Sequence, residues 1–570
     1  MTDLVIALSV MFVVAGVLLL VANHFGFSVI PFYIIAGLIT GTFVFQPEVI
    51  ELAQPDLVEL AQWGIAFLVF VFGIRVEFSD IQSVLRDGEI AAFTQLIVVA
   101  PIAFAVGYAF GIEFGFEDPA RNAIYFAAAA TFSSTIVSGA LLEAEIRDNL
   151  VHGRLASSIH FFDDMVAIFA LLVLSAATLT DAQLITSNIG YGVIFLIAAL
   201  LMYRHGFPLL IRFAEGFDEL VLMGSISILI AFIAAAEYVG ISIVIGAFAA
   251  GIAIRSEGSE ALGVQNGIES IKDFFVAIFF ITIGALVQFP TQETFVLAVS
   301  LVVLVVFLNP FVHILAFVYE GYDTRTAFLA SSSLNQMSEL SLVIAIQAWL
   351  LGTISTRLFD AIILAAAITM ILTVFTRRYE STIYDVVVSR LFTGRQTRHV
   401  DEYSSVEDAI TNHVVVIGFG RQGRLLVEKL EEQERPYVVV ENDPVLWGDL
   451  RTRCDNYVFG DALADYPMER AGVDDATLIV STVEHRPVSE TVLRLDTDAD
   501  VILRAGSSRV ARDLLDAGAT FVNVPSLLAS EQLVENIERV TDRKDATELQ
   551  REHLRFLDTL EREGLTTRFD

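Results

Sequence analysis

Apolar runs of about 20 residues, separated by short polar turns, fill the first two thirds of the chain. A run of this length crosses the hydrocarbon core of a bilayer as one helix. The runs are too many and too long for one secretory signal, so they predict a polytopic α-helical membrane domain over residues 1–378. We predict about thirteen spans, at 3–23, 27–44, 57–76, 90–111, 122–144, 155–178, 183–203, 218–237, 240–255, 270–288, 293–319, 325–349 and 355–376.

Basic residues are unevenly distributed between the loops that join these spans. With the amino terminus outside, the inner loops and the inner end of the last span hold eleven Arg or Lys residues, whereas the outer loops hold only Arg121 and Arg357. Cytoplasmic loops are enriched in such residues. We therefore expect a multi-pass protein of the cell membrane with its amino terminus outside. An odd number of spans places the rest of the chain in the cytoplasm.

The pattern changes after Arg378. Residues 379–411 are predicted to be a linker, in which a short amphipathic stretch leads into a polar run. Over residues 412–530, short Val- and Ile-rich runs alternate with helical periods, and this βαβ rhythm predicts a parallel sheet with helices on both faces, a Rossmann-like α/β domain. Residues 531–570 are predicted to form a charged helical tail.

The amino-acid composition indicates which classes of binding partner to expect. Across 570 residues the chain carries 35 Lys and Arg against 68 Asp and Glu, a net charge of −33, with a mean hydropathy of +0.65. This acidity argues against nucleic acid and against docking on anionic lipid. Only three of the basic residues are Lys. That bias is typical of a salt-loving organism, and an ordinary acidic bias in a GC-rich genome is the alternative. The single Cys454 excludes an internal disulfide and a multi-cysteine metal site.

Two adjacent carboxylates lie in the middle of the sixth span. Ionisable groups inside a span are costly and usually mark ion or proton routes. Asp163 and Asp164 cannot both ionise cheaply in a medium of low dielectric, so we expect the pair to hold a proton that an arriving cation replaces. The pair is therefore the predicted site of proton-coupled exchange and of monovalent cation binding. The alternative is a structural pair that caps neighbouring helices.

Runs of polar residues predict that two spans are broken. In the twelfth span six polar residues precede Glu339, and the fifth span contains Thr131, Ser133, Ser134 and Thr135. Hydroxyl groups can satisfy the backbone of an unwound turn. Broken helices in corresponding halves of a transporter predict an inverted repeat with a site near the midplane, which makes Ser134, Thr135 and Glu339 candidate pathway residues. Tight packing through small residues is the alternative.

The membrane part resembles the Kef-type branch of the monovalent cation:proton antiporter superfamily. The resemblance rests on five stretches in the family's order, GIAFLVFVFGIRVEF, FSSTIVSGALLEAE, HGRLASSIHFFDDMVAI, IKDFFVAIFFITIGALVQF and FLASSSLNQMSELSLVI. It implies a core bundle with two crossed discontinuous helices, a dimerisation bundle and hence a homodimer, and transport of monovalent cations and protons. It assigns the essential carboxylate to Asp164.

Asn309 is where this chain departs from the family. An Asp–Asp pair resembles that of the electrogenic members, which carry a Lys in the eleventh span where this chain has Asn309, followed by Pro310. Without that positive partner for Asp163, we expect both aspartates to release protons for each cation, which would move net charge. Asn309 joins the candidate pathway residues. The resemblance favours potassium, and the acidic composition leaves sodium open.

A glycine-rich turn opens the α/β domain. VVVIGFGRQGRLLVEKL places Gly418, Gly420 and Gly423 between a strand and a helix, where they suit a tight turn, the close approach of a pyrophosphate and helix packing, respectively. Glu441 follows Gly423 by eighteen residues and can accept hydrogen bonds from ribose hydroxyls. We therefore expect NAD(H) or an adenine nucleotide such as AMP or ATP as the ligand.

Arg421 and Asp461 extend this candidate nucleotide site, since Arg421 can approach phosphate and Asp461 follows the third strand. The segment resembles the RCK or TrkA-N regulator domain of potassium channels and transporters through GFGRQG, VVVEND and FGDA. The resemblance implies ligand sensing and no enzymatic role. A Rossmann domain kept only for dimerisation is the alternative.

Three functions compete at this point. The first is a secondary antiporter for pH homeostasis that is regulated by a nucleotide. The second, a potassium channel with the same regulator, would need a filter of the TVGYG type, which the sequence lacks. The third, a sensor on an inert membrane anchor, does not explain the carboxylates at 163, 164 and 339.

Overall fold

The computed structural model describes residues 2–43, 54–75, 89–147, 150–174, 182–214, 217–255, 262–391, 400, 403–407 and 410–541. The chain divides into two compact units, the first made of Met1–Glu320 and Ala327–Asp385, the second of Gly321–Thr326 and Val386–Asp570. Three predicted features lie wholly or partly outside the described residues, namely Arg86, which is one of the eleven basic residues counted in the inner loops, parts of the linker and most of the charged tail.

Within the described residues, the first unit is built of helices. They are Thr2–Phe25, Val29–Phe43, Gln54–Arg75, Glu89–Thr94, Ala100–Glu113, Pro119–Thr131, Thr135–Leu141, Glu143–Arg147, Val151–Leu174, Ala182–Leu201, Phe207–Ala214, Asp218–Val239, Ile243–Ala253, Leu262–Leu286, Gln292–Val303, Asn309–Glu320, Thr324–Ser332, Glu339–Leu350, Thr356–Arg378 and Glu380–Ile383. Four π-helical turns continue some of these without a break, at Gln95–Val99, Met202–Gly206, Leu304–Leu308 and Tyr384–Val388.

The membrane character of this unit is visible in helix length and composition. Seven helical segments of the described chain are long and apolar enough to cross a bilayer, and three shorter apolar helices accompany them. The count of thirteen spans stays a prediction. The helix of the seventh predicted span, 183–203, continues beyond residue 203 through the π turn Met202–Gly206 to Ala214. The π turn accommodates Pro208, which lacks the N–H of a regular helix.

The structure confirms that two helices are broken. The first broken helix consists of Pro119–Thr131 and Thr135–Leu141, and the second of Thr324–Ser332 and Glu339–Leu350. Between the halves the chain is extended, with φ/ψ of −84°/141° at Phe132 and −70°/142° at Ser338. The polar residues that predicted the breaks lie at these extended segments, where backbone groups leave the helical hydrogen-bond ladder.

The helices of the first unit pack closely through glycines. A Cβ built on Gly37 would lie 1.9 Å from the carbonyl oxygen of Ile281, and one on Gly284 would lie 2.2 Å from that of Ile34. Helices Val29–Phe43 and Leu262–Leu286 therefore touch backbone to backbone at both positions. Small residues commonly allow such close approach between membrane helices.

The second unit contains a parallel sheet, as predicted, and within the described residues this sheet has six strands. Its strands are β1 His413–Ile417, β2 Tyr437–Glu441, β3 Tyr457–Phe459, β4 Ala476–Ser481, β5 Asp500–Arg504 and β6 Phe521–Asn523, in the order β3-β2-β1-β4-β5-β6. Valines and isoleucines alternate between two buried clusters, one containing Val415 and Ile417, the other Val414 and Val416. Both faces are thus covered, and the strand order reverses between β1 and β4, where ligands bind in such sheets.

The helices of the second unit are Arg421–Glu432, Pro444–Arg453, Asp465–Arg470, Arg486–Val492, Ser508–Asp516 and Pro525–Thr541, with a 3₁₀ turn at Val473–Asp475. Arg421–Glu432 follows β1 directly after the glycine turn. Its first turn therefore lies at the carboxyl end of β1, next to the reversal of strand order.

Replacing Gly37 with Val should destabilise the first unit by about 1–3 kcal/mol, because the added carbons overlap the backbone of the neighbouring helix. Thermal unfolding of the detergent-solubilised protein measures the change. Gly190→Val is the matched control, since a Cβ on Gly190 meets nothing within 4 Å. Equal unfolding midpoints for the two variants would contradict the packing described here.

Candidate functional sites

The two broken helices cross at their extended segments. The N–H of Ser338 donates to the carbonyl oxygen of Phe132 at 3.0 Å, and Ser133 pairs with Met337 as an antiparallel β-bridge. Each break therefore supplies hydrogen-bond partners to the other. Unpaired backbone groups are costly where water is excluded, so this pairing stabilises both unwound turns.

Serine side chains cap the second half of each broken helix. Ser134 Oγ accepts from the N–H of Val137 at 3.2 Å, and Ser338 Oγ accepts from the N–H of Leu340 at 3.0 Å. Gln336 Nε2 also donates to the carbonyl oxygen of Ser134 at 3.1 Å. The predicted pathway residue Ser134 thus acts as the N-cap of helix Thr135–Leu141. Its described hydrogen bonds include neither Asp163 nor Asp164.

Asp163 is held by three donors. It lies on helix Val151–Leu174 and is fully buried. One carboxylate oxygen accepts from both the N–H and the Oγ of Ser133, each at 2.8 Å, and the other accepts from Nε2 of Gln95. Since the Ser133 N–H is freed by the helix break, the unwound turn itself binds this carboxylate.

Asp164 occupies a different environment from its neighbour. Thr135 Oγ1 lies 3.0 Å from each oxygen of the Asp164 carboxylate. Both residues are partly exposed, whereas Asp163 and Ser133 are buried. The two adjacent aspartates therefore have different surroundings, since Asp163 is enclosed by donors and Asp164 is partly exposed.

Asn309 and Glu339 each contact the end of a broken-helix half. Asn309 Nδ2 donates at 2.9 Å to the carbonyl oxygen of Ala130, in the last turn of Pro119–Thr131. Glu339 is in the first turn of its own helix, and its Oε1 accepts at 3.0 Å from the N–H of Ile136. A carboxylate is stabilised by the positive end of a helix. Both side chains thus support the crossing.

Sequence reasoning missed three residues at this site, namely Gln95, Ser133 and His313. Gln95 is a lone polar residue in an apolar run, and His313 follows Asn309 by four residues and so lies on the same helix face. Ser133 was noted only as one of several hydroxyls. No local pattern distinguishes these residues from ordinary packing contacts.

The glycine turn of the second unit has the predicted geometry. Gly418 has φ +93°, a region that favours glycine, and a Cβ on Gly423 would lie 2.0 Å from the carbonyl oxygen of Gly418. A Cβ on Gly420 would meet nothing within 4 Å. Helix Arg421–Glu432 begins here without a side-chain cap, so its first N–H groups are available to an anion.

Glu441 closes one side of this turn. One of its carboxylate oxygens accepts from the N–H of Phe419 at 2.6 Å, and the other accepts from the N–H groups of Asn442 and Asp443, both at 2.8 Å. Burial raises the pKa of Glu441, and the nearby Asp443 raises it further. A carboxylate has about four acceptor positions, so one is left for a ligand.

Asp461 and Arg421 complete the predicted set. Asp461 follows β3 and accepts from the N–H of Leu463 at 3.0 Å, and its second oxygen lies 4.0 Å from Nε of Arg325. Burial raises the pKa of Asp461 to about 7, with a further contribution from Asp323. Arg421 is exposed in the first turn of its helix.

Comparison with known proteins gives two family matches. The model described as sodium/hydrogen exchanger, transmembrane, matches residues 9–378, and the TrkA-N domain model matches residues 414–525. Together the two matches cover most of the chain. The first alone covers more than half of it.

Individual relatives agree with these matches. The chain is 27% identical to the K(+) efflux antiporter KefB of Alkalimonas amylolytica, over 89% of this chain and 77% of the relative. It is 23% identical to the cation/proton antiporter YbaL of Escherichia coli, over 90% of this chain and 93% of the relative. The sodium proton antiporter MjNhaP1 of Methanocaldococcus jannaschii matches 67% of this chain and 98% of its own, with 14% identity and a TM-score of 0.48.

The raised pKa of Asp461 predicts how the stability of the second unit depends on pH. The folded state binds the proton more tightly than the unfolded state, so stability should fall as pH rises from about 4 to about 7, by at most about 1.4 kcal/mol per pH unit. Thermal unfolding between these pH values measures it. Asp461→Asn should remove this part of the slope, and the exposed control Asp500→Asn should keep it. Equal slopes for the two variants would refute the assignment.

Proposed function

The chain belongs to the sodium/hydrogen exchanger family and carries a TrkA-N domain, and we propose that it exchanges a monovalent cation for protons at Asp164. The observation that carries this proposal is the placement of Asp164 beside Thr135, partly exposed, at the crossing of two broken helices. The membrane family is one of exchangers, which favours antiport over the channel alternative.

Exchange follows from competition between a proton and a cation for the same oxygens. With Asp164 protonated, the site lacks the negative charge that would hold a cation. Loss of that proton leaves a carboxylate next to the hydroxyl of Thr135, and hard cations take oxygen ligands of this kind. We therefore expect transport to fade in acid and to be active at neutral or alkaline pH.

The transported ion is proposed to be potassium, with sodium as the second candidate. The relative named as a K(+) efflux antiporter supports potassium. The sodium candidate rests on the acidic, Lys-poor composition. We further propose a homodimer with its amino terminus outside and its second unit in the cytoplasm, as the resemblance and the loop charges suggest.

The TrkA-N domain is proposed to bind NAD(H) or an adenine nucleotide, such as AMP or ATP, and so to regulate exchange. Open space above Gly420 and the uncapped start of helix Arg421–Glu432 suit a pyrophosphate. The remaining acceptor position of Glu441 suits a ribose hydroxyl. We propose Arg421, in the first turn of that helix, and Asp461, which follows β3, as further ligand contacts.

Asp164→Asn should abolish exchange, because an amide cannot release a proton to make room for a cation. Cation-driven proton flux in proteoliposomes measures the effect. Asp360→Asn is the matched control, since Asp360 is a buried aspartate of another span whose carboxylate accepts from the N–H of Gln288. Normal exchange by the Asp164 variant, or loss in both variants, would contradict the assignment.

Gly420→Val should weaken nucleotide binding at least tenfold while leaving the fold intact, because the new side chain occupies the space proposed for the pyrophosphate. Calorimetry with NAD(H), AMP and ATP on the purified full-length protein measures it. Gly448→Val, also without neighbours within 4 Å, is the control. Failure of all three nucleotides to bind the unmodified protein at millimolar concentration would leave the domain a dimerisation module.

A further inference from the structure

The second unit includes one short segment from earlier in the chain. Gly321–Thr326 belongs to this unit, whereas the chain up to Glu320 and again from Ala327 belongs to the first unit. Along the chain, the segment joins helix Asn309–Glu320 to helix Thr324–Ser332, which is the first half of the second broken helix. The segment is therefore part of the second unit and is covalently continuous with a broken helix.

Two side chains of this segment lie against the predicted nucleotide site. Nδ2 of Asn442 donates to Oγ1 of Thr326 at 3.3 Å, and Nε of Arg325 lies 4.0 Å from Oδ2 of Asp461. Asn442 directly follows β2, and Asp461 follows β3, which pairs with β2 in parallel. Ligands of such sheets bind at the carboxyl ends of the strands. The segment therefore occupies one margin of the proposed site.

Asp323 ties these contacts to the start of the half-helix. Its Oδ1 accepts from the N–H groups of Arg325 and Thr326, both at 2.9 Å. A carboxylate in this position caps a helix, here Thr324–Ser332. The two residues that reach the strand ends are thus the second and third residues of that helix. A displacement of either side chain therefore acts on the first turn of the half-helix.

Arg325 and a bound nucleotide would compete for Asp461. Oδ1 of Asp461 accepts from the N–H of Leu463 at 3.0 Å, and Oδ2 faces Arg325. Asp461 is only 9% exposed, so the approach to Oδ2 is confined. A nucleotide donor group that bonds to Oδ2 has to displace the side chain of Arg325. Docking of the segment and occupation of the site by a nucleotide therefore oppose each other.

We propose that Gly321–Thr326 is the switch through which a nucleotide regulates exchange, and that it leaves the strand ends when the nucleotide contacts Asp461. This inference rests on the proposed function and names the element that carries the regulation. Release of Arg325 and Thr326 frees the first turn of Thr324–Ser332, whose other end leads into the crossing of the broken helices. Coupling between two sites is reciprocal, so docking of the segment weakens nucleotide binding by the same factor.

The linker before β1 is attached in a different way. Ser405 pairs with Tyr457 of the edge strand β3 as an antiparallel bridge, and Oγ of Ser404 accepts from the N–H of Phe459 at 2.8 Å. The described hydrogen bonds of residues 403–407 do not include Asp461. A ligand at Asp461 thus displaces no hydrogen bond of this part of the linker, which we assign as a fixed anchor.

Nucleotide affinity tests the competition. Arg325→Met should bind AMP, ATP or NADH about threefold more tightly or better, because the competitor for Asp461 is gone. Calorimetry on the purified full-length protein measures this. Arg435→Met removes the same charge from an exposed position before β2 and should leave the affinity unchanged. Loss of a cation that simply attracts the phosphates would weaken binding instead, so equal or weaker binding by Arg325→Met would overturn the inference.

Cation-driven proton flux in proteoliposomes tests the regulation. Without nucleotide, Arg325→Met and Thr326→Val should give the flux that the unmodified protein gives with saturating AMP, ATP or NADH, and added nucleotide should change it no further. Thr326→Ser keeps the hydroxyl and should retain the response. A normal response in both Arg325→Met and Thr326→Val, or an unmodified protein that binds nucleotide without any change in flux, would overturn the inference alone. An unmodified protein without exchange, or without nucleotide binding, would overturn the proposed function and this inference with it.

Discussion

The first unit depends on pairing the backbone groups that two unwound turns release inside the membrane. Water is scarce there, so each freed N–H and carbonyl must find a partner in the protein. The two breaks supply one another, with the N–H of Ser338 on the carbonyl of Phe132 and the amide of Gln336 on the carbonyl of Ser134. One freed N–H, that of Ser133, goes to Asp163. The same requirement that stabilises the crossing thereby fixes a carboxylate at its centre.

Two adjacent aspartates acquire different chemistry from their positions on one helix. Successive residues of a helix point about 100° apart, so Asp163 turns toward the crossing and meets donors, while Asp164 meets the hydroxyl of Thr135 on the more open side. The two carboxylates therefore differ in their hydrogen-bond partners and in their exposure.

The second unit depends on the glycine turn after β1 and on the carboxylate of Glu441. The turn after β1 is tight, because Gly418 has a positive φ and Gly423 has no room for a side chain. Glu441, at the end of β2, accepts from the N–H of Phe419 within that turn. Strand β2 therefore holds the glycine turn through this hydrogen bond, at the reversal of strand order.

Features that are local in the chain could be predicted from the sequence. Asp163 and Asp164 are charged within an apolar run, the breaks are marked by clustered hydroxyls, and the glycine turn has fixed spacing. The continuation of a helix to Ala214 through a π turn was not predictable, because a proline inside a helical pattern usually ends or kinks the helix, whereas here the π turn accommodates Pro208. Gln95 lies 68 residues from Asp163 and 218 from His313, so only the packed helices bring them together. The sequence thus determined which groups can carry charge in the membrane, and the tertiary structure decided which of them is held by donors, because hydrogen-bond partners are set by contacts between distant segments.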